Sequence, residues 1–282
     1  MKLVSFEFFS ERAPRPGLLL DDAILDLTPL GVPDTTSAIA VGTTALRQAM
    51  EMPGTSLISL SAVHLLAPIP RPSRIFCVGL NYRDHAVESK MEIPKVPTIF
   101  LKLPSAVIGP NEPVRIPALT QQPDYEVELA IVIGKAGRNI AKENWKDYVF
   151  GYTILNDVSA RDVQLATSQW TLGKSFDTFC PLGPAIVTQD EIADPHNLDI
   201  RLSIGGEVLQ DSNTRELIFK TPDLIGYISS VTALQPGDII STGTPAGVGL
   251  GRSPHRWLQP GETMIAAVEG LGQLINPVVA GD

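Results

Sequence analysis

The sequence predicts a mainly β protein with some α-helix, rolled or layered, with a small α+β domain at the N-terminus. Two observations support this fold class. Many short segments rich in β-branched residues alternate with turn signals, whereas few segments have a helical pattern, which argues against a doubly wound parallel sheet. Pro68, Pro70 and Pro72 mark an extended connector, because proline fixes φ and has no N–H to donate.

The connector divides the chain into three predicted parts. Residues 1–67 form the small N-terminal domain, residues 68–74 the proline-rich linker and residues 75–282 the larger domain. In the first part, "MKLVSFEFF" and "GLLLDDAILDL" have the composition of short strands, and "TTALRQAME" that of a short helix. The linker is therefore the best candidate for a domain boundary.

The larger domain is predicted to contain most of the strands. Its strand-like segments are "RIFCVGL", "TIFLK", "VELAIVIG", "VFGYTILND", "PAIVT", "LDIRLSIGGEVLQ", "DIISTG" and "TMIAAVEGLGQLINPVV". Within them, "SIGGEV" predicts a hairpin that turns at Gly205 and Gly206. The helical candidates are "YRDHAVESKM", "VSARDVQLATSQW" and "PDLIGYISSVTAL".

Charge and composition exclude several kinds of partner and site. The formal net charge is −9 and the pI is near 5.0, so neither nucleic acid nor a membrane is expected as a partner. Cys77 and Cys180 make no disulfide framework, and the four histidines without an H-x-x-x-H spacing argue against a histidine-rich zinc site. The N-terminus lacks a long apolar stretch, so a soluble, cytoplasmic protein is expected.

The segment "PDYEVELAIVIG" places acidic residues inside a predicted buried strand. Glu126 and Glu128 are two residues apart, so they share one face of the strand with Asp124 and repel each other there. With Asp157, at the end of the next strand, they form an all-oxygen ligand set that suits Mg²⁺, Mn²⁺ or Ca²⁺. The alternative is that Asp157 only caps the following helix and that the glutamates face solvent.

Two further motifs carry candidate catalytic side chains. In "GLNYRDHAVES", His85 and Glu88 share a face of a helix that Asn81 caps, either as a dyad that takes a proton from water or as an ordinary surface pair. Lys174 in "WTLGKSFD" does not belong to a phosphate-binding loop, because Ser168 stands where that loop needs its first glycine. Lys174 is then a cation that faces substrate oxygens, or simply an exposed lysine.

A glycine-rich run, "STGTPAGVGLG", predicts either a turn whose N–H groups and threonine hydroxyls face an anion or a flexible loop. Taken in order, "GLNYRDHAVE", "YEVELAIVIG", "GYTILNDVSARDVQ", "WTLGKSFDTFCPLGP" and "STGTPAGVG" resemble the fumarylacetoacetate hydrolase family in its short, bacterial-type form. The resemblance covers residues 72–279. It implies a mixed β-roll preceded by a small accessory domain, and a homodimer with its site near the subunit interface.

The resemblance also implies roles for individual residues. His85 and Glu88 match the dyad that activates water, on a segment that often orders as a lid, and Lys174 matches the lysine that stabilises developing negative charge. The matched ligands of a divalent metal, Mg²⁺ or Mn²⁺ with Ca²⁺ possible in vitro, are Glu126, Glu128 and Asp157. The positions expected to contact substrate or its neighbours are Tyr82, Arg83, Arg161, Gln164 and Thr244.

The implied activity is divalent-metal-dependent hydrolysis of a carbon–carbon bond in an acylpyruvate-type (2,4-dioxo acid) substrate, through an enolate. Oxaloacetate decarboxylation and isomerisation of 2-hydroxymuconate or hydroxyheptadienedioate-type diacids at the same site remain open alternatives, so a small 2-oxo acid is the expected partner. Val78 stands where long fumarylacetoacetases carry an additional metal-binding aspartate, which favours the smaller members. A metal-binding protein without turnover is disfavoured, because the matched polar positions are intact.

Overall fold

The computed structural model describes residues 1–51 and 57–281, and within them the chain is mainly β-sheet with some α-helix, as predicted. The described strands, in chain order, are β1 (Lys2–Phe8), β2 (Glu11–Leu20), β3 (Ala23–Asp26), β4 (Leu57–Ser59), β5 (Val63–Leu66), β6 (Ile75–Gly79), β7 (Thr98–Lys102), β8 (Val107–Ile108), β9 (Val114–Ile116), β10 (Pro123–Asp124), β11 (Val127–Ile133), β12 (Val149–Asn156), β13 (Ser159–Ala160), β14 (Cys180–Thr188), β15 (Asp199–Ile204), β16 (Glu207–Asn213), β17 (Ile239–Ser241), β18 (Thr263–Val268) and β19 (Gly272–Ala280).

The helices of the described residues are short and few. They are α1 (Thr35–Val41), α2 (Thr43–Met50), α3 (Arg83–Glu88), α4 (Arg161–Gln164) and α5 (Thr221–Val231). Among the described residues, no helix has the length and apolar character needed to span a bilayer.

Two large sheets pack against each other. The larger sheet has the strand order β4-β3-β2-β1-β14-β12-β11-β17-β6-β7, with β5 beside β1 and β8 beside β14, and the smaller has the order β16-β15-β18-β19-β9. Strands β10 and β13 form a separate antiparallel pair. The largest apolar cluster contains side chains from both sheets, including Leu129 and Ile131 of β11, Leu202 of β15 and Ala266 of β18. The core therefore lies between the two sheets, as in other two-layer β folds.

Strand β11 lies in the interior of the larger sheet, and its register builds the acidic cluster. It pairs antiparallel with β12 and with β17, and all of its residues are buried. Because Val127 pairs with Asn156, the next residues outward, Glu126 and Asp157, lie opposite each other where the strands end. The Asp157 N–H donates to the Glu126 carbonyl at 2.8 Å, which joins the two segments that carry these carboxylates directly.

The N-terminal segment continues the larger sheet. The first residues of β1 pair with β14, as Lys2 does with Val187, and its later residues pair with β5. Residues 67–74 contain neither helix nor strand, as expected for the proline-rich connector. Since β1 is hydrogen-bonded into the sheet of the larger part, the division of the chain into two domains at residues 68–74 stays a prediction.

The local predictions have mixed outcomes. The hairpin between β15 and β16 is confirmed, and Gly205 and Gly206 both adopt positive φ, at 59° and 85°, as a tight two-residue turn requires. The helix predicted over residues 158–170 is wrong beyond the single turn of α4, because β13 pairs with β10 and takes up the residues where a helix would begin. Asn81 does not cap α3, since Tyr82 is the N-cap residue.

Candidate active site

Three carboxylates meet at the end of β11, as the sequence predicts. Ligand oxygens of Glu126, Glu128 and Asp157 all lie within 4.8 Å of one another, and the three side chains are buried. Their oxygens are the ligand type that Mg²⁺ and Mn²⁺ prefer. Buried carboxylates this close also need positive charge nearby, because their mutual repulsion is weakly screened in the protein interior. The residues therefore fit a divalent cation.

Two buried side chains bring positive charge to this cluster. The Lys174 Nζ donates to Glu126 Oε2 at 2.7 Å and to Asp157 Oδ2 at 2.8 Å. Arg161 donates to the other Glu126 oxygen at 2.5 Å and to Asp124 Oδ2 at 2.8 Å. Asp157 is thus no helix cap; its carboxylate takes part in ion pairs instead, because the chain continues into β13 before α4 begins.

The two cations shift the pKa of Glu126. Burial alone would raise the pKa of this carboxyl, but Lys174 and Arg161 outweigh burial and lower the pKa to about 2. Burial would likewise lower the pKa of Lys174, whereas Asp157 and Glu126 outweigh it and raise that pKa above its ordinary value. Glu126 is therefore ionised and Lys174 is an ammonium throughout the neutral range.

Glu128 has a different environment. Burial, and then the charges of Asp157 and Glu126, raise its pKa to about 8. Its Oε2 accepts from Ser241 Oγ at 2.5 Å and from the Gly243 N–H at 2.8 Å, and both donors follow from the pairing of β17 with β11. These two hydrogen bonds fix the orientation of a carboxylate that no lysine or arginine of the described residues pairs with.

Sequence reasoning missed Lys102, which is the least expected member of the cluster. Its side chain is fully buried at the end of β7, and its Nζ donates to Asp157 Oδ1 at 2.6 Å and to the Val158 carbonyl at 3.1 Å. A third hydrogen bond reaches the backbone carbonyl of Lys174. One ammonium thus holds a proposed metal ligand and the backbone of the neighbouring lysine. A single lysine at the end of the segment "TIFLK" carries no sequence signal for such a role.

His85 and Glu88 lie side by side on α3. His85 Nδ1 is 3.1 Å from Glu88 Oε2, while Glu88 Oε1 accepts from the Gly247 N–H at 2.9 Å. Gly247 belongs to the glycine-rich run after β17, so that run orients a carboxylate of the protein. Because Nδ1 faces Glu88, Nε2 is the ring nitrogen left for exchange with a substrate or water.

The dyad and two of the three carboxylates, Glu126 and Glu128, open onto one cavity of about 500 Å³. Its polar lining residues are His85, Glu88, Ser89, Lys90, Glu126, Glu128, Arg161, Gln164, Lys174 and Thr244. Its larger apolar lining residues are Val78, Leu80, Met91, Phe100, Leu165, Trp170, Val248 and Leu250. The volume suits a small organic acid.

The residues predicted to contact substrate are only partly brought together. Arg161, Gln164 and Thr244 line the cavity, and the Arg161 guanidinium donates to Gln164 Oε1 at 2.9 Å. Tyr82 does not reach the cavity, since its side chain is fully buried in the apolar core. Arg83 does not reach it either, since its guanidinium donates to the Leu217 carbonyl at 3.1 Å. The α3 residues that face the cavity are His85 and Glu88, which follow Tyr82 and Arg83 in the chain.

Replacing Glu128 with glutamine tests the proposed ligand set. The amide oxygen can still accept from Ser241 and Gly243, so the fold is expected to persist while the charge is lost. Because changes next to a ligand alone cost about 10–100-fold in metal affinity, we expect the loss of a ligand charge to weaken Mn²⁺ binding at least about 100-fold. Isothermal titration calorimetry measures it, with exposed Glu143→Gln as the control. Unaltered Mn²⁺ affinity in Glu128→Gln would contradict the assignment.

Comparison with known proteins identifies the family. The model of the family described as Fumarylacetoacetate (FAA) hydrolase C-terminal matches residues 74–279. A protein of Xenopus laevis named oxaloacetate tautomerase fahd2, mitochondrial, is 46% identical over 99% of this chain and 90% of its own length. A protein of Rattus norvegicus named oxaloacetate tautomerase Fahd2a, mitochondrial, is 45% identical over 99% of this chain and 92% of its own length.

Solved structures agree in fold over the full length of both chains. The fumarylacetoacetate hydrolase of Exiguobacterium antarcticum has 38% identity and a TM-score of 0.87. The maleylpyruvate hydrolase of Sphingobium sp. SYK-6, solved with manganese(II) and pyruvate, has 35% identity and a TM-score of 0.84. The 5-carboxymethyl-2-hydroxymuconate delta-isomerase of Mycobacterium smegmatis has 35% identity and a TM-score of 0.80.

These comparisons correct the expected location. The prediction of a cytoplasmic protein is wrong, since the relatives from Xenopus laevis and Rattus norvegicus are named mitochondrial. The prediction rested on the lack of an apolar leader, which is a criterion for secretion and does not test for an organelle.

The sequence resemblance, by contrast, is confirmed. The family match covers most of the chain, and relatives at 45% and 46% identity match nearly all of it. The buried carboxylates, the dyad and the shared cavity lie within the matched residues. The chain therefore belongs to the fumarylacetoacetate hydrolase family and is one of its enzymes.

Proposed function

We propose that the enzyme catalyses keto–enol tautomerisation of oxaloacetate or a closely similar 2-oxo acid, with Mg²⁺ or Mn²⁺ as its cofactor. The observation that carries the proposal is that the His85–Glu88 pair opens onto the same cavity as Glu126, Glu128 and Lys174, and that Lys174 also pairs with Asp157. This arrangement offers a proton acceptor and a source of positive charge to one small molecule. The relatives named oxaloacetate tautomerases, similar over 99% of this chain, support oxaloacetate as the substrate.

Glu126, Glu128 and Asp157 would hold the cation. When bound, a divalent cation supplies positive charge that polarises the keto group and carboxylate of a 2-oxo acid. Lys174 adds a fixed ammonium beside the same carboxylates, 2.7 Å from Glu126. Because its pKa is raised, Lys174 keeps its proton and acts by stabilising negative charge on the substrate oxygen.

His85 is proposed to move the proton. Tautomerisation to the enol breaks a C–H bond at C3 and forms an O–H bond at the C2 oxygen. The imidazole Nε2 takes the C3 proton, and the resulting imidazolium delivers a proton to the oxygen. Glu88 supports the charged ring from 3.1 Å and is itself held by the Gly247 N–H. The reverse reaction uses the same groups in the opposite order.

The test follows the enol absorbance of oxaloacetate with the purified protein. We expect the protein with Mg²⁺ to accelerate the approach to keto–enol equilibrium, excess EDTA to abolish the acceleration, and added Mn²⁺ or Mg²⁺ to restore it. The matched blanks contain the metal without protein, since metal ions alone promote enolisation. An equilibration rate equal to these blanks would contradict the proposal.

Hydrolysis of a carbon–carbon bond in an acylpyruvate-type substrate is the second candidate. The similarity to the maleylpyruvate hydrolase supports it, and in this reaction the dyad takes its proton from water instead of from C3. Proton NMR of acetylpyruvate would then reveal acetate and pyruvate. Oxaloacetate decarboxylation, which releases pyruvate and CO₂, is tested by the same NMR measurement with oxaloacetate as the substrate. Isomerisation of larger diacids is the remaining alternative.

We also propose that the enzyme is a homodimer. Large apolar side chains are exposed in the single chain, among them Val87 at 79% and Leu172 at 72%, which are close in sequence to the cavity-lining residues Glu88 and Lys174. Large exposed apolar side chains support contact with a second copy.

A further inference from the structure

We propose that Lys90 binds the distal carboxylate of a dicarboxylic 2-oxo acid and thereby sets a preference for diacids over monoacids. This assignment rests on the proposed function, because it concerns the end of the substrate that the metal ligands and Lys174 do not reach. It names the substrate class at that site: a four-carbon 2-oxo acid with a second carboxylate.

The first argument is that the other cationic side chains lining the cavity already have hydrogen-bond or ion-pair partners. Arg161 donates to Asp124, Glu126 and Gln164, so its guanidinium is fully engaged. Lys174 pairs with two carboxylates of the cluster. Among the described lining residues, Lys90 is the one lysine or arginine whose side chain makes neither an ion pair nor a hydrogen bond. Its ammonium is therefore the positive charge left for a ligand.

The second argument is the place of Lys90 in the chain. It follows α3 two residues after Glu88, next to the dyad. The Lys90 N–H donates to the Val87 carbonyl at 3.2 Å, and the Met91 N–H donates to the Ala86 carbonyl at 3.0 Å. These two hydrogen bonds form the Schellman motif that ends a helix. The motif fixes the backbone of Lys90 relative to the dyad, so its side chain extends from a defined point at the cavity.

The third argument is the backbone conformation itself. Lys90 has a φ of 52°, in the left-handed region. A Schellman motif normally has glycine or asparagine at this position, because other residues pay a steric penalty there. A lysine at this place is unfavourable for the backbone, and strained residues of this kind cluster at functional sites. The backbone conformation therefore does not explain a lysine at this position, whereas a function of its side chain does.

The apolar part of the cavity lining makes this charge necessary for a diacid. Phe100 and Trp170 meet edge to face with ring centroids 5.5 Å apart, and both line the cavity. The indole lies so close to Gly79 that an added Cβ would come within 2.4 Å of it, so the indole packs tightly against the backbone at this glycine. An apolar wall cannot compensate a carboxylate, and a second carboxylate needs a cation in reach. Lys90 supplies it.

The experiment compares two lysines of the same segment on two substrates. Lys90→Met removes the charge at the cavity, and Lys95→Met removes an exposed charge that does not line it. Tautomerisation is measured for oxaloacetate, a diacid, and for phenylpyruvate, a monoacid, with saturating Mg²⁺. We expect Lys90→Met to lower kcat/KM for oxaloacetate about tenfold, the usual size for a charge-assisted hydrogen bond, and to leave phenylpyruvate within twofold. Lys95→Met is expected to change neither.

Two more variants separate binding from folding. Lys90→Gly relieves the left-handed backbone, so its Tm is expected to be no lower than that of the wild type although it loses the same preference for oxaloacetate. Lys90→Arg keeps the charge and should retain the preference. Equal losses on both substrates, or no loss in Lys90→Met, would overturn the assignment while the proposed function stands. A wild-type protein that tautomerises neither substrate would overturn both.

Discussion

Replacing His85 with alanine is expected to lower turnover by about 10²–10⁴-fold, the usual contribution of a positioned general base. His85 lies 3.1 Å from Glu88 and lines the cavity, but it is not one of the three carboxylates that would bind the cation. Mn²⁺ affinity is therefore expected to stay within about twofold. Steady-state tautomerisation of oxaloacetate and calorimetric titration with Mn²⁺ measure the two quantities on the same preparation.

The control for this variant is His255→Ala, which removes an exposed histidine that does not line the cavity. It should leave turnover and metal binding unchanged. If His85→Ala loses Mn²⁺ affinity in proportion to turnover, the histidine has a structural role and the proton transfer must be assigned elsewhere. Glu88→Gln adds a second check, because it removes the charge beside the imidazole; it is expected to lower turnover by a smaller factor than His85→Ala.

Replacing Lys102 with methionine is expected to destabilise the fold by about 3–5 kcal/mol, the range found when one partner of a buried ion pair is removed. Methionine fills a similar volume, so the packing around β7 should change little. The Asp157 carboxylate would lose a donor at 2.6 Å, and the carbonyls of Val158 and Lys174 would lose theirs as well. Urea denaturation in EDTA measures the free energy of unfolding without help from bound metal.

Lys2→Met serves as the matched control, because Lys2 is an exposed lysine of β1. A surface change of this kind should stay within about 0.5 kcal/mol of the wild type. A destabilisation of Lys102→Met no larger than that of Lys2→Met would mean that the Asp157 carboxylate finds a replacement donor. The contacts of Lys102 with both Asp157 and the Lys174 backbone would then be dispensable for the fold.

The sequence predicted the site best where its acidic residues alternate along a single strand. Glu126 and Glu128 share a face because side chains alternate on a strand, and this simple periodicity was enough to predict that they meet. Asp157 joined them through the pairing of β11 with β12, which no local pattern specifies. Its position at the end of the following strand was the signal that added it to the predicted ligand set. The hairpin at Gly205 and Gly206 was equally predictable, because its turn depends only on two adjacent residues.

Long-range packing explains what the sequence did not reveal. Lys102 lies on β7, an edge strand of the larger sheet, and its partner Asp157 is 55 residues away in the sequence. No neighbouring residue in the sequence therefore indicates its role. Tyr82 precedes the dyad by three residues, yet it packs in the core because it is the N-cap of α3 and forms a β-bridge with Leu217. The helix after β13 ends after one turn for the same kind of reason: tertiary pairing outweighs local propensity.

The pairing of β1 with β14 also has a consequence for the behaviour of the protein outside its active site. Lys2 and Leu3 pair with Val187 and Ile186, and the N-terminal amino group donates to Thr188 Oγ1 at 2.8 Å. A chain cut at the proline-rich connector would leave these β14 positions as an unpaired edge, which is a template for strands of other molecules. The N-terminal strands thus shield the catalytic sheet from aggregation, and solubility should depend on them even where catalysis does not.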